Sequence, residues 1–414
     1  MRYRALVFSL AVLLVIGLGM IGASVLMERV GPAMARLSKP TAPAQTAAVA
    51  TTAATPASAP TACPEPGEGA TATTAPAATE TATSAVTDTP TPKPAPTDAC
   101  PHLVRRQGEN LVLNGEPITF VGINATLLMS PVVPDHAVTS ILAELSDWGV
   151  NLVRFWVWPG SDMNRVRHIL DEGGARRIRF VVTLQDYYYY KDVTWFADKY
   201  RTEDLPHIEK MVTEFRDRPE IAIWEVMNEP WCGGNNEADD PNCFRVLEAW
   251  ARDTTGLIRR LDPCRPISLG TSWERFTPVE KEGYRWLQSI DTVDIVSLHR
   301  EAENWYNYPS EINLAHELGK PVMIGEIWEW AYADACKQRY DGVLNDRAAK
   351  LDKDMHKALE MGVDAYLLWD YAAGPFPEGS DNPQYFCGQN SYWSGDPVAG
   401  VIRALPIPRP EVTR

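Results

Sequence analysis

After His102, short runs rich in Val and Ile alternate with longer stretches whose apolar residues recur at helical spacing. The short runs have strand length, and each longer stretch carries one apolar face. Strands are predicted at Ile118–Asn124, Asn151–Val157, Arg179–Gln185, Ile221–Asn228, Pro266–Thr271, Val293–His299, Pro321–Ile327 and Val363–Trp369. Helices are predicted at Ala137–Trp148, Ser161–Gly173, Glu203–Arg218, Cys243–Leu261, near Gly283–Ser289, at Ser310–Leu318 and Asp346–Met361, and near Pro397–Ala404. Leu111–Leu113 reads as an extra hairpin strand with Asn114-Gly115 as its turn. Eight strands, each followed by a helix, predict an α/β fold of the (β/α)8 TIM barrel type. The rival is a doubly wound open sheet, which normally has a glycine-rich phosphate loop after its first strand. Here that strand ends Gly122-Ile123-Asn124-Ala125, with no G-x-G-x-x-G.

The first hundred residues do not follow this pattern. Arg2 and Arg4 precede an uncharged, mostly apolar run, Ala5–Met27, of 23 residues, long enough to span a bilayer. It is expected to be an uncleaved signal anchor or, alternatively, a cleaved signal peptide, with Ala33-Met34-Ala35 as a small-residue cleavage site. From Pro40 to Ala99 the chain is rich in Thr, Ala and Pro and almost free of large apolar residues, so it reads as a disordered spacer. The expected organisation is 1–39 anchor or signal with its flank, 40–100 linker, and 101–414 catalytic barrel. Both export readings put the barrel outside the cell, membrane-anchored or secreted.

Such a setting permits disulfides among the seven Cys. Cys232 with Cys243 is the first expected pair. Cys336 with Cys387, Cys264 with either of these, and Cys63 with Cys100 are weaker ones. The net charge is −15 and the folded part has no Lys/Arg block, so nucleic acid is not an expected partner and a neutral polymer suits the protein better than an anionic one. The chain is expected to be monomeric. Its 14 Trp and 15 Tyr suit a surface that stacks on a ligand, although many must be core.

In a barrel the chemistry collects at the C-terminal ends of the strands. Those positions carry Asn124, then Arg154, Trp156 and Trp158, then Gln185-Asp186 and four Tyr (Tyr187–Tyr190). They continue with Asn228-Glu229-Pro230-Trp231, Trp273-Glu274, His299-Arg300-Glu301, Glu326-Ile327-Trp328 and Trp369-Asp370-Tyr371. Glu229 and Glu326 each end an apolar strand, where a charge is costly unless paired or used. Strands four and seven lie nearly opposite each other, so the two carboxyls can face across the barrel mouth. Carboxyls about 5–5.5 Å apart make a retaining glycosidase, one protonating the leaving oxygen and the other attacking the sugar carbon. Trp231 and Trp369 are expected to supply apolar walls that raise the acid's pKa. Glu225 lies within its strand and reads as a buried core carboxylate.

The segment Ile223-Trp224-Glu225-Val226-Met227-Asn228-Glu229-Pro230 resembles the strand-four Asn-Glu-Pro signature of clan A glycoside hydrolases, most closely family 5, the cellulases and β-mannanases. The resemblance implies that Glu229 is the acid/base and that Asn228 bonds the sugar 2-hydroxyl. Pro321-Val322-Met323-Ile324-Gly325-Glu326 is similar to the family's nucleophile motif, which implies Glu326. Asn151-Leu152-Val153-Arg154 is similar to the strand-two motif whose Arg steadies the nucleophile. By the same resemblance His299 matches the strand-six His, and Trp369 the Trp flooring the subsite of the cleaved sugar. Trp158, Trp231, Trp273 and Trp328 are expected to line the cleft. A β-1,4-linked glucan or mannan is the implied substrate.

Two positions depart from the family. Gln185-Asp186 stands where strand three usually ends in His, and Glu301 stands where a Tyr usually follows the strand-six His; Tyr306 could reach in from the loop. No metal and no cofactor are expected, because the seven His form no His-x-His or His-Glu-x-x-His. G-x-S-x-G is also absent. A non-catalytic carbohydrate-binding barrel and a transglycosylase remodelling cell-surface polysaccharide are the alternatives.

Overall fold

In the computed structural model, which describes residues 100–186, 192–232, 243–272, 281–300, 308–327, 329, 341–372, 392 and 394–412, the chain first folds back at Asn114-Gly115. Both residues have positive φ, 55° and 86°, as the predicted two-residue hairpin turn demands. Three short antiparallel strands result: Arg105–Gln107, Asn110–Leu113 and Glu116–Pro117.

Eight β/α units follow. They are β1 (Phe120–Asn124) with α1 (Asp135–Trp148), β2 (Leu152–Trp156) with α2 (Met163–Gly174), β3 (Arg179–Thr183) with α3 (Tyr200–Phe215), and β4 (Ile221–Glu225) with α4 (Cys243–Leu261). Then come β5 (Ile267–Ser268) with α5 (Lys281–Gln288), β6 (Val296–Arg300) with α6 (Tyr308–Glu317), β7 (Val322–Ile327) with α7 (Asp341–Glu360), and β8 (Ala365–Leu368) with α8 (Val398–Ala404). The sheet order is β5-β4-β3-β2-β1-β8-β7-β6, all parallel. A bridge between Ser268 and Ile295 joins the two outer strands, and Asp294 N–H donates to the Ile267 carbonyl at 2.9 Å across the same seam. The sheet is therefore a nearly closed barrel rather than an open doubly wound one.

Period-two alternation sorts the strand residues into two cores. Outward residues such as Ile123, Val153, Phe155, Phe180, Val182 and Trp224 pack against the helices. Inward residues at the N-terminal end, including Leu152, Val181, Ile223, Met323 and Leu367, close on Val104, Leu111, Leu113 and Ile118 from the hairpin region. That end is thus plugged by apolar side chains, each contributing about 1.5–3 kcal/mol on burial. One layer higher the inward positions turn polar, at Asn124, Arg154, Thr183, Glu225 and Ser268, all fully buried.

Helix α3 departs from its predicted start. A π-helical turn, Trp195–Lys199, runs directly into it, and Pro206 lies inside it. Buried Trp195, Phe196 and Tyr200 hold this entry, ahead of the predicted start at Glu203. Among the described residues no helix is long and apolar enough to cross a membrane. Ala5–Met27 and the 40–99 linker lie outside the described residues, as do Tyr187–Tyr190, Trp273, Glu301, Tyr306 and Trp328.

Cys232 pairs with Cys243 as expected. Cys100 does not pair with Cys63, nor Cys264 with Cys336 or Cys387. Instead Cys100 pairs with Cys264, 164 residues away, with Cα atoms 6.3 Å apart. Cys264 sits in the turn between α4 and β5, at the barrel end opposite the strand C-termini, and the hairpin region brings Cys100 there. Cys63, Cys336 and Cys387 lie outside the described residues. Closing so long a loop removes about 5 kcal/mol of unfolded-state entropy. Non-reducing peptide mapping is therefore expected to recover a Cys100–Cys264 peptide, and replacing both with Ala to lower the unfolding free energy by several kcal/mol, about 2–5.

Candidate active site

Arg154 is the inward residue in the middle of β2, fully buried. Its Nε donates to Glu225 Oε1 at 2.7 Å, and its terminal nitrogens donate to Asn124 Oδ1 at 2.9 Å, Glu326 Oε1 at 2.6 Å and Asn228 Oδ1 at 2.7 Å. The guanidinium carbon lies 4.4 Å from the Trp156 ring centre. Burial works against the charge, but Glu225 and Glu326 more than offset it and hold the pKa above its ordinary value. The acceptors are fixed in turn. Asn124 Nδ2 donates to the carbonyls of Gly325 and Leu368, each at 2.9 Å, so its oxygen must face Arg154. Glu225 accepts from Thr183 at 2.9 Å and from Ser268 at 3.3 Å.

Glu326 reaches the interior through a register shift in β7. Pairing with β6 skips from Ile324 to Glu326, which leaves Gly325 as the extra residue of a bulge. A Cβ on Gly325 would lie 2.8 Å from His299 Nε2. Glu229 arrives by a different distortion. Its φ is 45°, a left-handed conformation unusual for Glu, and its N–H donates to the Gly270 carbonyl at 2.8 Å. Gly270 has φ 77°, and a Cβ there would lie 2.0 Å from the Met227 carbonyl. This kink after β4 brings the consecutive side chains of Asn228 and Glu229 to the same rim.

His299, on β6, sits between the two carboxyls. Its Nδ1 is 3.0 Å from Glu229 Oε1 and 3.5 Å from Glu326 Oε1. Facing two carboxylates, Nδ1 is the nitrogen that carries hydrogen. One donor atom from each of Glu229, His299 and Glu326 lies within 4.8 Å of the others, which fits the close carboxylate spacing of about 5–5.5 Å. Among the described residues this is also the one trio close enough to hold a metal ion. Arg154, however, already donates to the Glu326 oxygen that faces His299, so fixed positive charge occupies that side. Burial raises the Glu326 carboxyl to about 7, with His299 and Arg154 pulling it back and the charge of Glu229 adding to the rise. Burial alone would lower His299, but Glu326 and the bond to Glu229 leave its pKa raised.

The structure brings Arg154, Asn228, Glu229, His299 and Glu326 together. Trp369 is half-buried and meets Trp156 edge-on at 5.6 Å, and its peptide bond to Asp370 is cis. Trp158 stands 37% exposed beside a surface cavity of about 250 Å³ shared with Glu203, His207 and Lys210. Trp231 is only 7% exposed and packs edge-on against Phe244 at 6.2 Å. It is a core ring rather than an open cleft wall, drawn inward beside the Cys232–Cys243 bridge. Trp273 and Trp328 lie outside the described residues. Asn124 and Asp186 take larger parts than the sequence suggests. The signal for both was an amide or carboxylate ending an apolar strand.

A buried Arg–carboxylate network thus opens beside a second carboxyl at the mouth of a parallel barrel, an arrangement suited to a hydrolase of glycosidic bonds. The sequence profile of the family described as Cellulase (glycosyl hydrolase family 5) matches residues 111–348. The chain belongs to glycosyl hydrolase family 5. It is similar to mannan endo-1,4-beta-mannosidase 1 of Arabidopsis thaliana, 25% identical over 289 residues, covering 56% of this chain and 68% of that protein. It is also similar to mannan endo-1,4-beta-mannosidase 8 of Oryza sativa subsp. japonica, 22% identical over 301 residues, covering 54% and 79%. The solved endo-1,4-beta-mannanase of Rhizomucor miehei shares the fold, with TM-score 0.57 and 16% identity, over 73% of this chain and 97% of that one.

Removing one partner from a buried ionic network leaves the other uncompensated. Arg154→Met is expected to lower the unfolding free energy by about 3–5 kcal/mol in urea titrations, and Arg154→Lys, which keeps the charge without the fork, by less.

Proposed function

We propose that the protein is an extracellular retaining endo-β-1,4-mannanase. The observation that carries this reading is the asymmetry of the carboxyl pair, in which Arg154 bonds Glu326 and not Glu229. With one proton between the two, Arg154 holds the negative charge on Glu326 and leaves the proton on Glu229. Glu326 Oε then attacks the anomeric carbon as Glu229 donates its proton to the departing glycosidic oxygen, forming a covalent glycosyl ester. Glu229, now a carboxylate, takes a proton from water, whose oxygen displaces Glu326 and releases the sugar. His299 bonds Glu229 in both halves, accommodating the change in its charge. Asn228 binds the 2-hydroxyl and Trp369 floors the subsite of the cleaved sugar.

Mannan is preferred over glucan because the similar curated proteins are named mannan endo-1,4-beta-mannosidases. The two disulfides support an exported enzyme, held at the cell surface by Ala5–Met27 and the 40–100 spacer. Transglycosylation uses the same groups with a sugar in place of water, and product analysis at high acceptor concentration separates the two.

Glu326→Gln and Glu229→Gln are each expected to cut kcat by at least about a thousandfold; near-wild-type turnover in either would sink the assignment. Azide should rescue Glu326→Ala and yield the α-glycosyl azide, whereas with Glu229→Ala it should yield the β-azide. On a panel of polysaccharides with product sizing, internal cleavage of mannan is expected to exceed that of β-glucan.

The acid must enter protonated. The nucleophile must also enter ionised, so kcat/KM is expected to be bell-shaped, lost at low pH as Glu326, whose carboxyl burial raises, takes up a proton and lost at high pH as the pair gives up its shared one. A kcat/KM profile flat from pH 6 to beyond about 9 would contradict the shared proton.

A further inference from the structure

The end of β3 carries Gln185-Asp186 where the family pattern has His. Asp186 Oδ1 accepts from Asn228 Nδ2 at 3.2 Å. On its other side the same amide offers Oδ1 to Arg154 at 2.7 Å. Arg154 can only donate, and an ionised Asp can only accept. A flipped Asn228 amide would put its NH2 against the guanidinium and its oxygen against the carboxylate, so a single orientation survives.

The backbones are pinned as well. Asp186 and Asn228 form a parallel bridge, and Asn228 N–H donates to the Gln185 carbonyl at 2.9 Å. Gln185 holds Asp186 in turn. Its Oε1 accepts from Asp186 N–H at 3.0 Å, and its Nε2 donates to buried Asp204 on α3 at 2.8 Å. A continuous chain of bonds therefore runs from α3 through Gln185, Asp186 and Asn228 to Arg154 and Glu326.

We propose that Asp186 is a positioning residue that locks the Asn228 amide and thereby sets the preference of the site for the configuration at sugar C2. The proposal rests on the reading of Asn228 as the ligand of the 2-hydroxyl. Asn228 Nδ2 carries two hydrogens. Asp186 takes one, and this fixes the direction of the other, which is offered to the sugar. Mannose and glucose differ only in whether the 2-hydroxyl is axial or equatorial, so an N–H held in one direction from both ends of the amide discriminates between them better than one held by Arg154 alone. An imidazole at the same place is neutral or positive and can donate as well as accept, whereas the carboxylate only accepts, so it reinforces the orientation that Arg154 requires.

The test uses the full chain with Asp186→Ala and the near-isosteric Asp186→Asn, assayed on an aryl β-mannoside, its 2-deoxy counterpart and the aryl β-glucoside. Asp186→Ala is expected to lower kcat/KM on the mannoside about 100-fold, mainly through kcat, and on the 2-deoxy substrate less than about 3-fold. The mannoside-to-glucoside ratio should fall in the same variant. Asp186→Asn still accepts from Asn228 but without the charge that strengthens the bond, so a loss of about 10-fold is expected. Combining Asp186→Ala with Asn228→Ala should cost no more than Asn228→Ala alone.

Equal losses on the hydroxylated and deoxy substrates, or additive losses in the double variant, would overturn the proposal. If Asp186→Ala does not fold, the same comparison on Asp186→Asn decides. A wild-type protein that releases no reducing ends from mannan or β-glucan, and whose Glu326 is not labelled by an activated 2-fluoro mannoside, refutes the glycosidase reading itself. Labelling and turnover with a uniform Asp186 effect refute only the role of Asp186.

Discussion

A guanidinium does not give up its proton inside a protein, so burying Arg154 commits the barrel interior to a permanent positive charge. Such a charge is tolerable only when surrounded by acceptors with good geometry, and here they come from β1, β4, the segment just after β4, and β7. Asn124, Glu225, Asn228 and Glu326 are thus drawn to one point. The placement of Glu326 follows from the way the barrel neutralises its own core. The bulge at Gly325 and the left-handed Glu229 are local costs borne where this network meets the rim.

The division of the barrel interior into an apolar floor and a polar upper layer has a consequence for the chemistry. The floor, closed by Leu111, Leu113 and Ile118, shuts water out from below. Low dielectric then strengthens each bond in the Arg154 network and raises the cost of a second negative charge. Burial accordingly pushes the Glu326 carboxyl up even beside its cation. The floor also depends on the hairpin region, which the Cys100–Cys264 bridge ties to the turn between α4 and β5.

All eight strand–helix units were legible because strand and helix periods alternate without interruption. The entry to α3 was not, since the π turn is held by burial of Trp195 and Phe196 rather than by local propensity. Glu229 and Glu326 were legible as charges ending apolar runs. The bulge that turns Glu326 inward was not, because Gly325 is needed for its clearance from His299, a contact between strands β6 and β7. Spacing found the Cys232–Cys243 bridge, whose partners are 11 positions apart, and missed Cys100–Cys264, where only the folded barrel brings the ends together. Trp231 follows the Asn-Glu-Pro motif and so reads as part of the cleft, yet the chain turns it into the core before Cys232. A strand-end position tells which rim a residue reaches, not which way its ring faces.

Three carboxylates surround this centre, and their surroundings separate their roles. Glu225 is fully buried, bonded by Arg154, Thr183 and Ser268, with its acceptor sites spent on the barrel itself. Glu326 shares the same cation but is slightly open at the rim, so it combines a neighbouring positive charge with access, as the proposed nucleophile needs. Glu229 lacks Arg154 and has the imidazole of His299 instead. That partner can follow a change in the charge of Glu229 by moving its own proton, which a guanidinium cannot do. A group that must give up a proton in one step and recover it in the next is better matched to such a partner. The proposed assignment of acid to Glu229 and nucleophile to Glu326 matches this difference, since only Glu326 is bonded by Arg154 while both carboxyls face His299.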